Sequence, residues 1–194
     1  MSTQHWNDRA THRIQSDNSV EAMLRKSGVV SWLETCGPTA AMIACEVTGH
    51  DVTVRLPGGG TIQGEDALTA WMNDPANIAA LKAARPGIDP GAYMANEIIQ
   101  YYPVALKAVF GAEARVLFGQ GFEDVAAAVR GGSAVMIHLK KPAHYLCVVA
   151  VDEASKSLIY RDPWPARTGT DGFNLKLGRE EFPATIQDSI VVVR

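Results

Sequence analysis

The chain has 194 residues, enough for one sizeable domain with its own core and too few for two comfortable ones. Hydrophobic residues at 47% with 20% charged are ordinary globular composition and exclude wholesale disorder. A net charge of −3 without any Lys/Arg stripe leaves no electrostatic footprint for nucleic acid.

The N-terminal stretch MSTQHWNDRATHRIQSDN is polar and offers no apolar run that would serve as a signal peptide. No segment approaches the roughly 20 apolar residues needed to span a bilayer. The expectation is a cytoplasmic protein with no membrane contact. Residues 1–27 read as a polar segment, part of the domain or appended to it, with Asn18 or Ser19 capping a short helix over Val20–Lys26. Residues 28–194 read as a single domain.

Cys36–Val47 is apolar nearly all round, which predicts a central, buried helix. Asp51–Leu56 and Thr61–Gln63 flank a Pro-Gly-Gly-Gly turn and predict a hairpin or extended loop; the glycines lack the Gly-Lys-Ser/Thr ending of a phosphate loop. Gly64–Gly111 is helical in pattern, with breaks at Asp74-Pro75, Pro86-Gly87, Asp89-Pro90 and Pro103. Ala114–Phe118 predicts a strand and Phe122–Val129 a helix closed by Gly131-Gly132. Strands are expected at Ser133–Leu139, His144–Val151, Ser157–Arg161 and Ile190–Val193, with a weaker one at Asn174–Leu177 and a helical turn at Arg179–Phe182. Helices first and an antiparallel sheet afterwards is an α+β layout.

Three cysteines, 36, 45 and 147, form neither a disulfide framework nor a zinc-ligand spacing. Each is then a small buried hydrophobe or a reactive thiol. Cys36 opens its helix within Glu34-Thr35-Cys36-Gly37-Pro38-Thr39, where unpaired N–H groups and the helix dipole favour an anion and lower a thiol's pKa. Thr35 suits the N-cap, and Pro38 is tolerated because the first turn needs no internal donor.

A base is needed beside such a thiol. His5 and His12 lie in the polar segment, His50 follows Gly49 at a helix end, and His138 sits inside an apolar strand as a core histidine. His144 opens the apolar strand His144–Val151, held by a rigid element yet near the surface. An imidazole base needs a third group to fix its tautomer. Asp162 ends the next strand, and its separation of 18 from His144 places the two on one face if a loop of about three residues joins the strands. A one-residue slip would separate them. Asp152, the competing carboxylate, falls in the turn. Cys45, half a helical circuit from Cys36, and Cys147, facing opposite to His144, are expected in the core.

The Cys-Gly-Pro-Thr helix start, the later strand-opening histidine and Asp162-Pro163-Trp164 together resemble the bacteriocin-processing branch of the papain-like cysteine peptidases, including its stand-alone bacterial and phage relatives. The match is dense over residues 34–47 and 132–165. The resemblance implies a papain-like fold, with Cys36 as nucleophile, His144 as general base and acid, and Asp162 orienting His144. It implies peptide or protein substrates. No His/Cys/Asp cluster has metal-ligand spacing, so no metal or other cofactor is expected, with His5 and His12 the one alternative pair. Such families usually carry a glutamine shortly before the cysteine as an oxyanion donor. Residues 27–35 hold neither Gln nor Asn, and Gln15, 21 residues upstream, is expected to reach the site only by an unusual path. A Cys–His amidase cutting peptidoglycan cross-bridges, or a catalytically silent binding domain using Trp32 and Trp164, are the alternatives.

Overall fold

The structure, a computed structural model, describes residues 6–18, 35–88 and 95–194. The helix expected over Val20–Lys26, together with Trp32, lies outside them.

Helix α1, Cys36–Val47, runs through the centre. Ala40, Ala41, Met42, Ile43, Ala44 and Cys45 are all fully buried, as an all-round apolar helix requires. Thr35 stands at the N-cap position, but its hydroxyl makes no capping bond. It accepts instead from Asn18 Nδ2 at 2.7 Å. A two-stranded ribbon, β1 (Val54–Arg55) and β2 (Thr61–Ile62), precedes helices α2 (Gly64–Asn73), α3 (Pro75–Ala84) and α4 (Tyr102–Phe110). Pro75 and Pro103 lie at helix starts, where a missing N–H costs nothing.

The second half builds an antiparallel sheet from β3 (Ala114–Phe118), β4 (Ala134–Leu139), β5 (His144–Asp152), β6 (Ser157–Arg161), β7 (Leu175–Gly178) and β8 (Ile186–Val193), in the spatial order β3-β8-β4-β5-β6-β7. Helix α5 (Phe122–Arg130) and the short helices α6 (Pro165–Thr168) and α7 (Phe182–Thr185) complete the chain. The last strand begins at Ile186, earlier than the apolar run Ile190–Val193 indicates, and the helical turn before it falls at Phe182–Thr185.

Both faces of the sheet are covered. Tyr145, Cys147 and Val149 of β5 face the core around α1, whereas Leu146 and Val148 face a second core containing Phe122, Val125 and Ala126 of α5. Double-sided burial is why β5 reads as an unbroken apolar run.

The β5–β6 hairpin departs from the expected register. Asp152 pairs with Ser157, leaving residues 153–156 in the turn, so the hairpin alone would set Asp162 on the face opposite to His144. A β-bulge intervenes: Ala150 pairs with Ile159, but Val148 pairs with Tyr160. The extra residue, Val149, shifts the register by one and returns Asp162 to the His144 face. The slip and the bulge cancel.

Candidate active site

His144 is the first residue of β5 and is almost wholly buried. Its Nε2 lies 2.7 Å from Oδ1 of Asp162, which sits just past the end of β6 with no exposed surface. Burial works to raise the Asp162 carboxyl. The hydrogen bond and charge of His144, the Trp164 N–H and the Arg167 cation outweigh it and hold the group below its ordinary value. An ionised carboxylate can only accept, so Nε2–H of His144 is the donor. The ring's basic nitrogen is then Nδ1. The edge of the Trp164 ring meets the imidazole with centroids 5.9 Å apart.

Asp162 is held on every side. Its Oδ1 also accepts from the Trp164 N–H at 2.8 Å, and Oδ2 accepts from Arg167 Nε at 2.9 Å and Nη2 at 2.6 Å. Its own N–H donates to the Gly172 carbonyl. Gly172 has φ of +76°, and a Cβ there would come within 2.4 Å of the Asp162 carbonyl oxygen, so this position admits only glycine.

Cys36 is the first residue of α1 and keeps part of its surface open. Crowding around the sulfur pushes the thiol up to about 11. The backbone N–H groups of Tyr145, Gly37 and Cys36 itself oppose that push, and the Glu97 charge adds to it. Tyr145 directly follows His144, so its N–H ties the sulfur to the start of β5. Behind Cys36, Tyr102 is fully buried and donates to the Asn96 carbonyl at 2.6 Å, while the Tyr145 hydroxyl donates to the Glu97 carbonyl.

The other sequence candidates lie elsewhere. His138 stacks on Tyr145 at 4.3 Å and bonds Gln187; burial lowers its pKa. His12 and His50 bond the carbonyls of Asp171 and Arg194. Asp152 pairs with Lys176 at the far end of β5. Cys45 and Cys147 are fully buried, as expected, and burial pushes Cys45 up to about 12. Among the described residues no group of three His, Cys, Asp or Glu side chains is arranged to hold a metal.

Gln15 belongs to a segment tied down beside Asp162 and the start of α1. Three contacts lay residues 6–18 against the site. Arg161, the last residue of β6, donates to the carbonyls of Trp6 and Asp8. The Gln15 N–H donates to the Pro163 carbonyl at 2.8 Å. Asn18 Nδ2 bridges the hydroxyls of Thr35 and Thr39 at the start of α1. Gln15 is itself buried, in a segment bonded to the residue after Asp162 and, through Asn18, to the residue before Cys36. Apart from Gln4 it is the sole glutamine upstream of Cys36.

An α+β chain with a central buried helix packed on an antiparallel sheet, and a Cys, a His and an Asp at their junction, has the architecture of the papain-like peptidases. The chain belongs to the Peptidase_C39 like family, whose model matches residues 12–182. No curated protein matches it. It is similar to the crystal structure of a Bacillus anthracis protein described as a C39-like peptidase, at 14% identity and a TM-score of 0.48 over 83% of this chain and 89% of that one. Among the described residues no helix is long and apolar enough to cross a membrane.

Proposed function

We propose that this chain is a cysteine peptidase that cleaves peptide bonds through a thioester on Cys36. The observation that carries the reading is the His144–Asp162 hydrogen bond. It leaves Nδ1 as the base on a strand whose next residue, Tyr145, meets the Cys36 sulfur.

The steps follow from those roles. Nδ1 takes the thiol proton, and the thiolate attacks the scissile carbonyl carbon. The tetrahedral oxyanion takes hydrogen bonds from the Cys36 N–H and from the Gln15 amide. When it collapses, the C–N bond breaks and the imidazolium gives its proton to the leaving amine. Water, deprotonated by the same Nδ1, then adds to the thioester and releases the acid and the thiol. Asp162 stays ionised throughout and stabilises the imidazolium. Gln15 is assigned the oxyanion role because it is buried in a segment bonded to Pro163 and, through Asn18, to Thr35 beside Cys36. Loss of one such donor costs ~100–1000-fold in rate.

The test is digestion of a peptide library by wild type and by Cys36→Ala, with peptidoglycan zymography in parallel. Wild-type cleavage of peptides that Cys36→Ala abolishes supports the proposal. Muralytic activity alone moves it to the amidase reading, and inertness on both substrates refutes turnover. Gln15→Ala is expected to lower peptide cleavage ~100–1000-fold while the thiol still alkylates.

A further inference from the structure

The Asp162 carboxylate faces a permanent cation on the side away from His144. Arg167 lies on α6, five residues after Asp162, where Pro165 and the left-handed Gly169 (φ 67°) bracket a four-residue helix. Its guanidinium donates twice to Oδ2, at 2.9 and 2.6 Å, and also bonds Tyr160. Oδ1 is left to the His144 Nε2–H and the Trp164 N–H. Each carboxylate oxygen therefore accepts twice and has a fixed occupant.

A lone buried carboxylate beside an imidazole is a full negative charge that favours the imidazolium. With a guanidinium on its far oxygen, the carboxylate becomes half of a neutral pair, and the imidazole feels a dipole instead of a charge. Among the described residues, the other titratable groups near the pair are His138 from β4, which acts on His144, Tyr160 from β6, which acts on Asp162 and Arg167, and Cys36 from α1, held by the Tyr145 N–H with Glu97 beyond it; Glu181 acts on Tyr160. None of these bonds the Asp162 carboxylate.

We propose that Arg167 is a positioning residue of the Cys36 site: it fixes which Asp162 oxygen meets His144 and neutralises that carboxylate, which limits the pH to which the imidazolium survives. This rests on the peptidase reading for its consequence in catalysis, but not for its effect on His144.

The experiment follows alkylation of Cys36 by iodoacetate against pH in wild type, Arg167→Gln and Arg167→Lys. Iodoacetate is anionic and reacts fastest while the imidazolium is present, so the high-pH limb reports loss of that proton. Arg167→Gln is expected to move this limb upward by about one pH unit, whereas Arg167→Lys, which keeps the charge, stays within a few tenths of wild type. Circular dichroism confirms folding, and Arg167→Met replaces Arg167→Gln if the latter does not fold. An unmoved limb in the neutral variant, or equal displacement in Arg167→Lys, overturns the proposal. If wild type shows no accelerated alkylation, the peptidase reading has failed, and titration of the His144 ring signals by NMR decides on Arg167 alone. An upward displacement in Arg167→Gln upholds it, and coincident curves overturn it.

Discussion

At the scale of single residues, the site sets two influences on Cys36 against each other. Burial and the Glu97 charge hold the thiol protonated, whereas the backbone N–H groups at the helix start favour the thiolate. Backbone donors alone do not overcome the burial, so the proposed mechanism assigns activation to the imidazole, and the variants should separate these contributions. Glu97→Gln removes a charge that raises the thiol. Labelling of Cys36 by iodoacetamide at a fixed pH below neutrality is expected to rise roughly two- to fivefold, the scale of a solvent-screened charge, and the gain should shrink in high salt. Cys36→Ala and His144→Ala should each abolish turnover. Asp162→Ala keeps both reacting groups but leaves the Arg167 cation beside an imidazole that must itself become charged. Peptide turnover is expected to fall roughly 10²- to 10⁴-fold, with labelling still detectable but displaced to higher pH.

At the scale of elements, chemistry depends on how α1, β5 and β6 meet. Gly37 lets α1 lie against Tyr102: an added Cβ would come within 2.1 Å of the Tyr102 hydroxyl and 3.0 Å of the Asn96 carbonyl. Alanine gains about 1 kcal/mol in helix propensity, yet overpacking a fully buried tyrosine costs about 1–3 kcal/mol and is expected to win. Urea denaturation should show Gly37→Ala destabilised, with part of the loss recovered in Gly37→Ala/Tyr102→Phe. The apolar run of α1, the strands β3 to β6 and the His144–Asp162 pairing were legible because each rests on local composition or parity. The route to that pairing was not. A hairpin slip and a bulge at Val149 offset one another, and neither leaves a mark in a run as uniformly apolar as Leu146–Val151. The placement of Gln15 was not legible for the opposite reason. Its position comes from contacts with Pro163 and, through Asn18, with Thr35, none of which is local in sequence.

At the scale of the whole molecule, residues 6–18 are a strap tied to the body at Arg161, Pro163 and Thr35, and also through Arg13 to Glu46 and Glu65. Its His12 and the His138 of β4 are both held below the ordinary histidine value of 6.5, chiefly by burial. The folded chain thus binds fewer protons than the unfolded one once the pH drops below 6.5, and stability declines from there. Asp162, the half-buried Asp152 and the exposed Asp171 sit below the ordinary carboxyl value of 3.8, so their contribution is present above it and is lost as the pH falls through their folded values. Urea midpoints are expected to be flat from pH 8 to 7, to decline below 6.5 and to decline more steeply below 4. Whether His144 converts a crowded thiol into a nucleophile is read from the rate of Cys36 alkylation with iodoacetamide from pH 4 to 10 in wild type and His144→Ala, followed by mass spectrometry of the Cys36 peptide. Wild type is expected to react faster than a small-molecule thiol already near pH 6.5, and His144→Ala only as the pH climbs toward the value of about 11 that burial imposes. Coincident slow curves for the two proteins, both rising only toward that value, would contradict it.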